Sequence, residues 1–163
     1  MASYGWLHVA THARVAEEST AQSYLLLARG QGGTSDDGLL NEDEVRTLPL
    51  DGATVVLSAC GTALGRVTGE GTIGFTRSFL AAGARAIVAT TWEVPDQSGL
   101  QIMNGFYDAR SRGAAVSDAL RSAQLQQLRA LRAGTVTMKA GDQKVVLPAT
   151  PLLWAGYIAV GAP

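Results

Sequence analysis

The sequence predicts an α/β fold on a mostly parallel sheet, and three observations carry that prediction. Short apolar runs, most of them rich in β-branched residues, recur at residues 5–11, 53–58 and 84–91, and near-continuous apolar character is what strands buried on both faces of a parallel sheet require. Stretches with apolar residues at helical spacing lie between and after them, from 72 to 82, from Pro95 to Gly113 and from Ser117 to Leu131, so strands alternate with helices. The 163 residues, 47% of them hydrophobic, suit one domain with a real core.

The elements follow in order. Gly5-Trp6-Leu7-His8-Val9-Ala10-Thr11 is apolar apart from His8 and is expected to be a strand covered on both faces, ending at His12. Tyr24–Ala28 reads as a short strand, followed by a flexible stretch from Arg29 to Gly38. Asn41 ahead of Glu42-Asp43-Glu44 sets a capping side chain before acids that suit the positive end of a helix dipole, predicting a short helix to Thr47. Ala53–Ser58 is a strand, with Ala59-Cys60-Gly61-Thr62 and a glycine-rich loop to Gly71 directly behind it. A helix over 72–82 closes at Gly83, placed for a left-handed cap, and leads into a strand over Ala84–Thr91.

Pro95 suits the first turn of a helix with Leu100, Met103, Phe106 and Tyr107 on one side. The helix over Ser117–Leu131 has Ala119, Leu120, Ala123, Leu128 and Leu131 as its apolar positions. Thr135–Met138 and Lys144–Leu147, joined by Lys139–Gln143, carry the alternation and turn residues of a β-hairpin. It is expected as a surface insertion over 134–148. Leu153–Val160 forms the last strand. No repeat or composition break divides the chain, so residues 1–163 are expected to be a single domain.

Composition excludes several function classes. A net charge of -1 gives no general attraction to nucleic acid or an anionic membrane. Arg85, Glu93 and Asp96 interrupt the apolar stretch 86–94, so no run approaches the ~18 to 20 residues that span a bilayer. The first six residues lack the basic and apolar parts of a secretory signal, which leaves the cytoplasm as the expected location. One cysteine, Cys60, excludes an intrachain disulfide and a multi-cysteine zinc site. No His and carboxylate pair has metal-ligand spacing, so no metal is expected.

Ligands of open parallel sheets bind beyond the carboxyl ends of the strands, and both His12 and Cys60 lie at such ends. An imidazole near a thiol removes its proton or stabilises the thiolate, which makes the sulfur a nucleophile. The bland alternative is a buried thiol and a histidine that is merely hydrogen bonded. His8 shares the strand parity of His12 but lies mid-strand, and is read as structural.

Five blocks in order carry a resemblance: His8-Val9-Ala10-Thr11-His12, Val56–Thr62 followed by Gly69-Glu70-Gly71, Phe79–Ala84, Trp92-Glu93-Val94-Pro95-Asp96, and Pro151 with Trp154–Gly161. On these residues the chain resembles the carboxyl-terminal, catalytic part of a CHAT domain, a caspase-like and separase-like group of cysteine proteases. The resemblance implies a three-layer caspase-like fold, its sheet flanked by helices, and a cysteine endopeptidase with Cys60 as nucleophile, His12 as general acid and base and no cofactor. It further implies an oxyanion site from the backbone N–H groups of Cys60 and Ala13. Such domains usually carry glycine where Ala13 stands, and a positive φ there would strain alanine. By the same analogy Ser58 lines the primary specificity pocket and Asp96 its far wall, favouring a basic residue before the cut. Asp96 is equally well explained as the cap of a helix beginning near Gln97, and Glu70 as a helix-start acid.

The usual two strands and helix before the histidine strand are lacking, with about five residues in their place. Either the chain is a piece of a larger protein, or that edge is covered by an N-terminal segment, a regulator or a second copy. Two other readings compete. Gly69-Glu70-Gly71-Thr72-Ile73-Gly74 formally matches GxGxxG, but roughly ten residues separate it from the strand ending at Ser58, whereas a dinucleotide site turns directly from strand to helix. The other reading is a catalytically inactive or incomplete module that binds a protein partner.

Overall fold

The computed structural model describes residues 5–14, 23–29, 37–58, 66–68 and 71–162. In chain order the first elements are β1 (Trp6–Ala10), β2 (Ala13–Arg14), β3 (Tyr24–Leu26), β4 (Leu39–Asn41), α1 (Glu42–Arg46) and β5 (Thr54–Ser58). Next come β6 (Arg66–Thr68), β7 (Gly71–Ile73), α2 (Phe75–Ala81), β8 (Ala86–Thr90), α3 (Asp96–Ser111) and α4 (Val116–Arg132). The chain continues with β9 (Thr137–Ala140), β10 (Gln143–Val146), a 3₁₀ turn over Pro151–Leu153 and β11 (Tyr157–Gly161). The residues divide into two compact units, one running to Glu93 and including Ile158–Ala162, the other Val94–Tyr157. Among the described residues no helix is long and apolar enough to cross a membrane.

In the first unit the main sheet has the order β1-β5-β8-β11. β1 pairs with β5 and β5 with β8 in parallel, whereas the end of β11 lies beside the start of β8, with Ala162 N–H donating to Arg85 C=O at 2.8 Å. The architecture is thus mixed α/β on a mostly parallel sheet with helices packed on it, compatible with a caspase-like fold. Alternate side chains Val55, Leu57, Ile87 and Ala89 enter a core shared with Val45 of α1 and Phe75 and Phe79 of α2. Burying side chains of this size contributes about 1.5–3 kcal/mol each relative to exposure.

The edge strand departs from expectation. Trp6, His8 and Ala10 are exposed while Leu7 and Val9 are half-buried, so β1 is covered on one face only and His8 is not enclosed. The reason is position: β1 ends the strand order, and no strand pairs with its outer side among the described residues. Tyr24–Leu26 is a strand as expected, in a separate sheet of order β2-β3-β4. The glycine-rich loop contains an antiparallel β6–β7 pair that the sequence reading missed, and α2 begins at Phe75, later than expected, because 71–73 are spent on β7.

Asn41 caps α1 as its sequence position suggested. Its side chain accepts from the N–H groups of Asp43 and Glu44, both at 3.0 Å, while Glu44 accepts from Asn41 N–H at 2.9 Å, a complete capping box. At the end of α2, Gly83 has φ +97°. Gly83 N–H donates to Leu80 C=O and Ala84 N–H to Phe79 C=O, the paired bonds of a Schellman cap.

In the second unit the helices obey periodicity with two corrections. α3 buries Ile102, Met103, Phe106 and Ala109, while Leu100, expected inside, is 63% exposed. α4 buries Ala119, Leu120, Ala123 and Leu131, but Gln127 takes the inward place expected for Leu128, which is half-buried. The hairpin turns on Gly141 and Asp142 alone, since Gln143 pairs with Ala140 and Lys144 with Lys139. The last strand begins at Tyr157 rather than Leu153, because Thr150 and Pro151 start a 3₁₀ turn first.

One buried charge ties the first unit's helices together. Glu42 is 2% exposed, and Ser78 Oγ donates to its carboxylate across 3.4 Å. Burial raises its pKa, which the Arg46 guanidinium at 4.0 Å and hydroxyls of Ser78 and Ser23 offset only in part. A carboxyl raised above its unfolded value binds its proton more tightly in the native state, so stability falls as pH rises through the interval above 4.5. Glu42→Gln keeps an acceptor for Ser78 and cannot ionise. Its Tm at neutral pH is expected to equal or exceed the wild-type value by about 2–4 °C, with no gain in acid below the ordinary carboxyl range. A thermal melt series across pH checks this.

Gly83 supplies a second test. A Cβ there would strike the Asp51 carboxylate and lie 3.1 Å from its Cα, in addition to the left-handed strain. Gly83→Ala is expected to cost about 2 kcal/mol or more in urea unfolding.

Candidate functional site

The candidate site begins from the parallel register of β1 and β5. Ala10 lies opposite Ser58 at the carboxyl ends of the two strands, so both chains leave the sheet at the same level and on the same end. Two residues further on, one strand leads to His12 and the other to Cys60. His12 is exposed and stands between β1 and β2. Ala59, Cys60 and Glu70 lie outside the described residues. Ser58 is half-buried at the end of β5.

The histidine's backbone is pinned from one side. Leu26 N–H donates to His12 C=O at 2.9 Å, and Thr11 Oγ1 donates to Leu26 C=O. These two bonds hold the turn between β1 and β2 against β3. Because antiparallel bonds alternate, the Leu26–His12 bond makes His12/Leu26 and Arg14/Tyr24 the bonded pairs. The intervening pair is Ala13 with Leu25, and the Ala13 N–H therefore points away from β3. No non-glycine residue among those described has a positive φ, so alanine at this position carries none of the strain that a glycine requirement would impose.

Asp96 sits in the second unit, exposed, as the first residue of α3. It does not cap that helix: Pro95 occupies the cap position and no side chain there accepts a helix N–H. The carboxylate instead stands in the first turn, where it suits the helix dipole. The GxGxxG match dissolves structurally, because Gly71–Ile73 is a strand of the antiparallel β6–β7 pair rather than of the parallel sheet. Among the described residues no group of three or more His, Cys, Asp or Glu side chains could hold a metal.

Sequence reasoning missed the groove that runs along β1. Its volume is about 1050 Å³, and Trp6, His8, Thr11, Leu26, Leu27 and Leu40 are among its walls. Trp6, Leu26 and Leu27 are 39%, 46% and 43% exposed. The signal was present in the Leu25-Leu26-Leu27 run, too apolar for a strand with a solvated face. Desolvation against these walls lowers the pKa of His8.

The family model for the CHAT domain matches residues 1–162. The chain is 31% identical over 124 residues to "Tetratricopeptide repeat protein 28" of Mus musculus, a match covering 76% of this chain and 4% of that protein. It is 30% identical over 124 residues to the Homo sapiens protein of the same name, with the same 76% and 4% coverage. The chain thus corresponds to a small part of these relatives.

Thr11 tests the pinning of His12. Thr11→Val keeps shape and removes the bond to Leu26, and is expected to cost about 1 kcal/mol. Hydrogen exchange at the Leu26 amide should accelerate along with it, as read by mass spectrometry. An unchanged exchange rate would mean that the turn is held by other contacts.

Proposed function

The chain belongs to the CHAT domain family, and on that premise we propose that it is a cysteine endopeptidase domain in which Cys60 attacks and His12 transfers the proton. The observation that carries this reading is the β1–β5 register, with Ala10 opposite Ser58, which supports an approach of His12 and Cys60 at one end of the sheet. In the first step the thiolate sulfur bonds to the scissile carbonyl carbon, and the carbonyl electrons move to oxygen. The N–H groups of Ala13 and Cys60 are the proposed donors to that oxyanion. The C–N bond then breaks as His12 protonates the leaving amine, leaving a thioester. Water, losing its proton to His12, attacks the thioester and releases the acid and the thiol. No cofactor enters the reaction. A reducing compartment such as the cytoplasm would keep the single thiol available.

A second reading has its own support. The relatives are named as tetratricopeptide repeat proteins and are far longer than the matched part, and among the described residues no strand pairs with the outer side of β1, which lies beside an apolar groove. Both suit a non-catalytic module that holds a protein partner.

Iodoacetamide alkylation of Cys60 as a function of pH separates the two. The protease reading expects rapid labelling well below the ordinary thiol pKa of ~8.5, and a slowing of about tenfold or more at pH 6.5 in His12→Ala. Slow labelling that ignores His12 is the result that a non-catalytic module gives.

A further inference from the structure

The hairpin of β9 and β10 has no part in the proposed chemistry, yet its side chains are arranged in a way that isolated hairpins rarely sustain. At its base Val136 is 5% exposed and packs with Leu131 and Leu153, with Leu147 against them. Residues 136, 138, 145 and 147 share one face of the ribbon, since paired residues and every second residue along a strand lie together. This apolar stripe leaves the core and continues into solvent: Met138 is 46% exposed and its cross-strand partner Val145 41% exposed. A two-stranded ribbon with its apolar face in water is marginal by itself.

The opposite face carries the second anomaly. Lys139 and Lys144 are directly paired across the strands, and like charges so placed repel. Among the described residues neither is in an ion pair, and Asp142 at the tip pairs with neither. The two lysines share a groove of about 480 Å³ with Gln97, Asp142 and Gln143.

The backbone says which edge is open. Leu147 N–H donates to Val136 C=O at 2.9 Å, so the bonded pairs are Val136/Leu147, Met138/Val145 and Ala140/Gln143. The N–H and C=O groups of Lys144 and Val146 therefore point away from β9. The other edge is already in use, because Gln97 Nε2 donates to Thr137 C=O at 3.5 Å.

We propose that the outer edge of β10 is a docking site for an extended acidic segment of a protein partner, which adds as a strand with carboxylates beside Lys144 and apolar side chains beside Val145. Charge complementarity selects this occupant. Alternating side chains of an added strand meet both faces at once, supplying the missing counter-charge on the lysine face and extending cover over Met138 and Val145 on the other. Lys139, one strand further in, lies within a Debye length of ~8 Å to 10 Å and adds to the attraction. A membrane surface would engage only one face of the ribbon and leave the other unmatched.

The test uses the whole chain and a fluorescein-labelled octapeptide of alternating valine and glutamate, read by fluorescence anisotropy. Saturable binding is expected, weakening as salt rises. Lys139→Glu with Lys144→Glu should weaken it about tenfold and create affinity for the alternating valine and lysine peptide, a gain that a misfolded variant would not show. Val146→Pro removes an outward donor that the hairpin does not use, and should abolish binding with the fold intact by circular dichroism. Absence of saturable binding overturns the proposal, as does equal binding of a block peptide with the same composition. Attachment to phosphatidylserine vesicles without peptide binding overturns it in favour of a lipid surface.

Discussion

Parallel pairing of β1 with β5, residue against residue from Trp6 and Thr54 to Ala10 and Ser58, is the constraint on which the rest of the first unit depends. Parallel strands end together, so β1 and β5 leave the sheet at the same level, at Ala10 and Ser58. A slip of one residue would turn Leu7 and Val9 outward and reverse the face on which every later residue leaves the strand. The register is held by burial: Val55 and Leu57 are fully enclosed, and β8 repeats the pairing on the other side through Thr54/Ala86 to Leu57/Ala89.

The helices serve that sheet more than they serve themselves. α1 is five residues long and α2 seven, well below the length at which isolated helices persist in water. Each survives through its ends and its inward face, α1 by the Asn41 capping box and α2 by the Gly83 cap. The contact between them includes the buried Glu42 carboxyl, which accepts from Ser78 and whose pKa is raised by burial. Glu42 thus gives α1 and α2 a defined meeting point.

Much of this is legible in the sequence. The apolar runs around Val55 and Ile87, the cap at Asn41 and the glycine at 83 each follow from one local rule, and all stand where that rule put them. What the sequence concealed depends on neighbours. Trp6-Leu7-His8-Val9-Ala10 reads like a covered strand, and only its place at the end of the strand order exposes His8. Leu100 looked like core from its spacing, but the α3 face is centred on Ile102 and Phe106. Gln127 occupies a core-facing position that no hydrophobic pattern would assign to an amide, and its Nε2 has no hydrogen-bond partner among the described residues. At the candidate site, His12 was legible as a residue following a strand, whereas its pinning by Thr11 and Leu26 needed the β2–β3 pairing, a contact between segments more than ten residues apart.

The position of β11 has a consequence for how the molecule comes into being. Its residues from Ile158 onward belong with the first unit, although all of Val94–Tyr157 intervenes. On a ribosome the chain emerges in order, so β1, β5 and β8 can collapse while the fourth strand is still unmade, leaving the flank of β8 without its partner. The α3–α4 pair, built from contacts close in sequence, forms on the faster timescale of local structure. Closing the sheet is therefore a late event, and until then the unfinished flank of β8 is exposed to wrong pairing.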